Sequence, residues 1–522
     1  MRARSRVAGV TVPLSALWTA RSQGVGDIGD LAPFARWIVD AGVRLVQLLP
    51  VTEMSSGPAS PYSSRGSFGV DPIYVDLGAL GIATSAGAAE IDFEAVRARK
   101  LAALRSAFAR PGARRGLDSF CAREAAWVGD LALYTALKEA HAQLPWWAWP
   151  AALARRDAAA LERARASLAE EVEFYAFVQW HARRQWDHAR AQLSALGVEL
   201  MGDLPFMVVE DSVDAWCAPE LFDRARSLGA PGDAFDAEGQ DWALPAPRWS
   251  AIAKADDAWP RARVRGAAAL YDRLRVDHLI GYFRAYSRPR VGLRDDAGVL
   301  VPGRFAPAEE AAQAAQGERV LSAMCDEARD VGLALIGEDL GVIPAFVAPA
   351  LARFDLPGYR VLFWERDAAP APSAEDEQAM PDEDVAPVQF VDPRAYPTRS
   401  VACFGTHDTP PLAAWWETLS DRERDGVAAL CPPQPGDAFG ARFTLQTQQA
   451  LLELLQGAAS ELTLPQLQDL LGARDRINTP GTVGAHNWRY RLPAPIEALS
   501  TDPALQAALA RSRAAADRGG RA

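Results

Sequence analysis

Along this chain, short unbroken runs of aliphatic and aromatic residues alternate with longer stretches in which apolar positions recur every three to four residues. The runs are "VRLVQLLPV" (43–51), "PIYVDL" (72–77), "GVELMGDLPF" (197–206), "RLRVDHL" (273–279), "LALIGEDL" (333–340), "YRVLFWE" (359–365) and "RSVACFGTHD" (399–408). They are continuous rather than alternating, the pattern of strands covered on both faces. Amphipathic segments such as "DLAPFARWIVDAG" (30–42) and "GERVLSAMCDEARDVG" (317–332) precede several of them. With an eighth candidate near "GTVGAHNW" (481–488), the set predicts an α/β fold, a (β/α)8 TIM barrel occupying residues 1–500.

Between the second and third runs lies more chain than one crossover needs. Segment 80–195, which holds the tryptophan-rich "LPWWAWP" (144–150), reads as a helical insertion within the barrel. The proline-rich, acidic stretch around 367–390 reads as an exposed loop, and 511–522 as a polar terminus that frays.

Composition narrows the classes. A chain of 522 residues, 49% hydrophobic, suffices for one large core with insertions. A net charge of −12 with no stripe of Lys or Arg argues against nucleic acid as a partner. Five cysteines without paired or CxxC spacing indicate neither a disulfide framework nor a zinc site, and predict a reducing compartment, the cytoplasm. The opening "MRARSRVAGVTVPLSALW" is basic and then apolar, but Thr11, Pro13 and Ser15 break the apolar part too early for a secretory leader. No run is long enough to span a membrane.

The chemistry-bearing residues stand where the apolar runs stop. In a barrel of this type the C-terminal ends of the strands open into one mouth, so charges after an apolar run are candidates for a site. The run at 273–279 carries Arg275, Asp277 and His278; those at 197–206, 333–340 and 399–408 end in Asp203, Glu338–Asp339 and His407–Asp408. A single strand-end aspartate reads as a helix cap or an ion pair. Several in one mouth make an acidic crater. The histidines stand singly there, which argues against a histidine-held metal; a hard-cation site built from the aspartates is the rival reading, and no cofactor or metal is expected. Glycosidic bond cleavage uses such a crater, because one carboxylic acid protonates the leaving oxygen while a carboxylate meets the anomeric carbon. Sixteen tryptophans supply surfaces for sugar faces, although core packing accounts for most of them.

The motifs "SPY" (60–62), "GDLPF", "DSVDAW", "GAPGDAFDAEGQDW", "RVDH", "GEDLG", "GTHD" and "RINTPGTVGAHNWRYRLP" occur in the order found in the amylomaltase or 4-α-glucanotransferase (disproportionating enzyme) family, which the chain resembles from about residue 8 to residue 493. The resemblance implies a barrel without a C-terminal β-sandwich domain. It implies transfer of α-1,4-glucan segments from a glucan or maltooligosaccharide donor to glucose or a maltooligosaccharide acceptor, through a covalent glucosyl-aspartate. It makes Asp277 the nucleophile, Glu338 the general acid/base and Asp408 the third carboxylate. Tyr62, Asp203, Asp233, Gln240, Trp242, Arg275, His278, His407 and Asn478 match positions expected to hold sugars or orient those three. Arg275, two residues from Asp277 on the same strand face, would favour the ionised nucleophile, and burial would keep Glu338 protonated. The sequence departs from the family pattern at Pro231-Gly232, at "ALPAPRW" after Trp242 and at Thr409. An α-glucan hydrolase with the same carboxylates and a non-catalytic glucan-binding protein are the alternative readings.

Overall fold

The barrel begins with a strand that the hydrophobic pattern leaves unassigned. In the computed structural model, which describes residues 6–55, 60–82, 90–232, 238–366, 388–431, 439–482, 484 and 486–521, the run Val7–Val12 is the first of eight parallel strands. These are β1 (Val7–Val12), β2 (Leu45–Leu48), β3 (Glu199–Leu204), β4 (Arg273–Val276), β5 (Ala334–Gly337), β6 (Gly358–Val361), β7 (Ser400–Cys403) and β8 (Leu462–Thr463). They pair in the order β6-β7-β8-β1-β2-β3-β4-β5. A backbone hydrogen bond from the Gly337 N–H to the Pro357 carbonyl joins the two ends. Each strand is short and buried on both sides, as its continuous apolar run requires.

Two expected strands are corrected. "PIYVDL" (72–77) forms a 3-10 turn at Pro72–Tyr74, because Pro72 offers no N–H to a ladder and the Asp71 side chain accepts from the Ile73 amide instead. The eighth strand is Leu462–Thr463, not 481–488; the described part of that segment is loop, and Val483 and Ala485 lie outside the described residues.

Segment 80–195 contains the helices Phe93–Phe108, Leu117–Arg123, Val128–Ala140, Ala158–Ser167 and Ala169–Ala195. Leu133, Tyr134, Leu137, Trp146, Trp149 and Trp216 form a small core of their own, apart from the main one. The 27-residue helix Ala169–Ala195 leads directly into β3 and packs on the barrel. Four strands missing from the sequence reading, Phe222–Ala230, Gln240–Pro247, Ala285–Pro289 and Arg304–Ala306, form an antiparallel sheet among the loops that follow β3 and β4. The tail expected to fray is instead part of helix Pro503–Arg518, followed by Arg521. The buried Arg521 guanidinium donates to the carbonyls of Gln456, Ala458, Ser460 and Glu461. Residues 367–387 of the acidic loop lie outside the described residues. No helix among the described residues is long and apolar enough to cross a membrane.

Register positions the site. Asp203 on β3 is directly opposite Arg275 on β4, and Arg275 is opposite Ile336 on β5. The ladder runs past the strand ends through hydrogen bonds from the Asp277 N–H to the Leu204 carbonyl and from the Glu338 N–H to the Val276 carbonyl. Because side chains alternate along a strand, Arg275 and Asp277 face the same way, toward the barrel mouth.

Candidate active site

A cleft of about 900 Å³ opens at the C-terminal ends of the strands. Tyr62, Gln240, Trp242, Arg275, Asp277, His278, Glu338, His407, Asp408 and Asn478 line it together, although the chain separates them widely. Asp233 lies outside the described residues. Asp203 does not line the cleft. It sits behind it, fully buried, and holds the Arg275 guanidinium at 2.7 and 2.8 Å while accepting from the Tyr62 hydroxyl at 2.6 Å.

Arg275 is the hub. Its Nη1 also donates to Asp277 at 2.8 Å, and its Nη2 lies 3.8 Å from Glu338. Burial alone would weaken its hold on its proton, but Asp203, Tyr62, Asp277 and Glu338 outweigh that and keep the guanidinium charged. Burial pushes the Asp203 carboxyl up against the opposing pull of Arg275, and the Tyr62 phenol rises for the same first reason.

Glu338 has a different setting. Burial, reinforced by the nearby Asp277 charge and opposed by Arg275, raises its carboxyl to about 7. One oxygen accepts from the His278 amide at 2.7 Å and the other from the Leu340 amide at 3.1 Å, so two backbone donors fix its orientation. The His278 donor depends on an unusual turn, because His278 has φ +45°, a left-handed conformation that costs a non-glycine residue on the order of 1 kcal/mol. Gly281 permits it; a Cβ there would stand 2.7 Å from His278 Cδ2 and 2.5 Å from Phe206 Cζ. Burial holds His278 neutral, with its ring down to about 4. The neighbouring Asp339 faces elsewhere: its carboxylate accepts from the Tyr359 amide at 2.6 Å and pairs with Arg360, a structural role.

Across the cleft Asp408 is more open, with 41% of its side chain exposed. Asn478 donates to it at 2.6 Å, His407 Nε2 lies 3.4 Å away, and Arg476 donates to its backbone carbonyl at 2.7 Å. Tyr62 stacks on His407 with ring centres 5.2 Å apart, and Trp488 leans on both. Gln240 and Trp242 come from the first residues of strand Gln240–Pro247, linked by a 2.9 Å hydrogen bond from the indole N–H to the amide oxygen. The Trp242 ring meets His278 edge-on at 4.9 Å.

Trp488, Trp364 and Arg476 were not singled out in the sequence. Trp488 and Trp364 line the cleft, and Trp364 is 47% exposed. Most of the other tryptophans are core residues, so indole content alone does not mark the pair. Trp488 carries one further signal, a φ of +64°, but that is a property of the fold and not of the letters. Among the described residues, no group of three or more His, Cys, Asp and Glu is arranged to hold a metal ion.

The arrangement is two neighbouring carboxyls around one arginine, a third carboxylate across an open cleft, and aromatic walls. A family model described as 4-alpha-glucanotransferase matches residues 12–497. The 4-alpha-glucanotransferase of Thermus thermophilus is 32% identical over 495 residues, covering 90% of this chain and 91% of that protein. The Chlamydia pneumoniae protein of the same name is 29% identical over 521 residues, covering 94% and 92%. Amylomaltase from Streptococcus agalactiae, solved in complex with acarbose, shares the fold with a TM-score of 0.81 at 24% identity over 99% of each chain. With this match along nearly its whole length, the chain belongs to the 4-alpha-glucanotransferase family.

Proposed function

We propose that the protein is a retaining 4-α-glucanotransferase that moves α-1,4-glucan segments from a maltooligosaccharide donor to glucose or another maltooligosaccharide. The carrying observation is the unlike pair on Arg275. Asp277 is ion-paired at 2.8 Å and faces the cleft, while Glu338 is buried, fixed by two amides and raised to about 7. A carboxyl gripped by an arginine beside one raised to about 7 is the division of labour that double displacement needs.

In the first step Glu338 gives its proton to the glycosidic oxygen as the Asp277 carboxylate attacks the anomeric carbon. The leaving glucan departs with the proton and a glucosyl-aspartate remains. In the second step ionised Glu338 takes a proton from an incoming sugar hydroxyl, which displaces Asp277 and restores the α configuration. Asp408, oriented by Asn478 and His407, grips sugar hydroxyls and stabilises the charge that develops on the ring. The Tyr62–His407–Trp488 group and Trp242 provide flat walls for sugar faces. Asp203 acts from behind, by holding Arg275 and Tyr62. Five free cysteines fit a reducing compartment, and we place the reaction in the cytoplasm.

Maltotriose is the test substrate. Glucose plus a ladder of longer chains, with nearly constant reducing ends, is the expected product set. A steady rise in reducing ends with nothing longer than the substrate would make the protein an α-glucan hydrolase instead.

A further inference from the structure

The helical insertion exposes an indole that the cleft does not use. Trp147 is 39% exposed and its neighbour Leu144 is 50% exposed, whereas Trp146 and Trp149 on either side are buried in the insertion's own core. Among the described residues the large exposed hydrophobics include two tryptophans, Trp147 and the cleft's Trp364; exposure alone means little, but a fixed setting means more. The Trp147 ring is not loose. Arg224 places its guanidinium 4.2 Å from the ring centre and 4.7 Å from that of Trp146, and the two indoles meet edge-on. Arg224 is itself held by a 2.7 Å hydrogen bond from its Nε to Glu210.

Glu210 ties this platform to the cleft. It follows Val209, a residue of the cleft wall, and its backbone carbonyl accepts from the Trp146 indole at 3.0 Å. On the other side, Arg224 belongs to strand Phe222–Ala230, which pairs with the strand that brings Gln240 and Trp242 into the cleft. The insertion and the antiparallel sheet therefore meet beside the cleft wall, where a fixed, partly exposed guanidinium lies over one face of an exposed indole. That arrangement suits a pyranose, whose CH face stacks on the part of the indole that the guanidinium leaves exposed, while the cation holds the ring in place.

We propose that Trp147, backed by Arg224, is an outer binding platform for an α-1,4-glucan chain that runs out of the cleft past Val209 and Glu210. The platform gives the enzyme a preference for long chains over short ones. This rests on the glucanotransferase reading above. Trp147 touches neither the scissile bond nor the three carboxylates, so it acts on chain length and not on chemistry.

The Trp147→Ala variant tests it, with wild type alongside, on maltotriose and on maltoheptaose. Maltotriose, confined to the sites beside the scissile bond, should keep its kcat/KM within about twofold. That of maltoheptaose should fall about three- to tenfold, the effect of one aromatic stacking contact. Trp147→Phe should restore most of the loss. Equal losses on both substrates would make Trp147 a structural residue, and an unchanged maltoheptaose value would remove the platform. Calorimetric titration of maltoheptaose into Asp277→Asn, with and without Trp147→Ala, reads the same contact without turnover. The second alteration should weaken binding by a similar factor, and no weakening would overturn the proposal even if the wild-type protein failed to transfer glucose at all. Failure of transfer with intact chain-length discrimination in binding would sink the catalytic reading alone.

Discussion

Two buried acidic clusters in this molecule have nearly the same chemistry and different surroundings. In the cleft, Arg275 gathers Asp203, Asp277 and Glu338. Against the loop after β1, Lys100 of the helix Phe93–Phe108 is fully buried and pairs with Asp27 of that loop at 2.8 Å while donating to the Val75 carbonyl. Asp30 beside it is raised to about 7 by burial and then by the Asp27 charge, the same value that Glu338 reaches. A perturbed carboxyl and a buried cation therefore do not distinguish a site from a brace. Access does. The Asp30 oxygens are taken by the Thr19 hydroxyl and the Asp27 amide, as part of a capping box that starts the turn Ile28–Asp30 and leads into helix Leu31–Ile38. Asp277 and Glu338 face a large open cleft.

The comparison breaks most sharply under substitution. Asp277→Asn should lower turnover by about a thousandfold or more while circular dichroism and thermal midpoint stay close to wild type. Near-normal turnover by the folded variant would remove Asp277 as the nucleophile. Glu338→Gln comes next: transfer from maltooligosaccharides should drop by about 10²–10⁴. Formation of the glycosyl-enzyme from a glucosyl fluoride, whose leaving group needs no proton, should largely survive. Wild-type transfer should also decline as pH rises through about 7, since the acid is lost there, and equal damage with both donors would show that Glu338 is not that acid.

The brace should answer in stability instead. Asp27→Asn leaves Lys100 buried without its carboxylate, a loss of about 3–5 kcal/mol with turnover per folded molecule retained. A smaller effect belongs to pH. The Asp30 carboxyl holds its proton to about 7 when folded but releases it near its ordinary 3.8 when unfolded. Between those values the Asp30 carboxyl binds more proton in the folded state, so its contribution to stability is full below about 4 and is lost as pH rises to about 7. Thermal midpoints measured across that range should slope downward in wild type and less so in Asp30→Asn. Parallel slopes would mean that other groups set the dependence.

Much of this was legible in the letters, and the exceptions have physical reasons. Strands β2 to β7 announce themselves because a doubly covered strand is a continuous apolar run, and charges that close the runs at β4, β5 and β7 line the cleft. At β5 the apolar run alone does not separate Glu338 from Asp339, which only the motif resemblance does, since the turn decides which one faces the cleft. β1 was hidden by its basic lead-in, and β8 is two residues long, too short for any period. "PIYVDL" is as apolar as a strand, but a proline at its head and an aspartate cap turn it into a 3-10 bend. The antiparallel sheet went unread because its strands carry Arg, Ser, Ala and Pro and bulge where they pair. Asp203 was grouped with sugar-binding residues since spacing says which strand end it occupies, not how deep it sits.

The register that sets Asp203 opposite Arg275 and Arg275 opposite Ile336 makes the arginine-centred cluster a matter of parity. Lengthening a loop by any number of residues leaves odd and even positions of each strand where they were, and for that reason the chain carries a whole helical insertion between β2 and β3 without disturbing its chemistry. One residue added between Arg273 and Arg275 would turn over the rest of that strand and send Arg275 and Asp277 toward the surrounding helices. Divergence among such barrels is therefore free in loop length and closed at single-residue steps within four short strands.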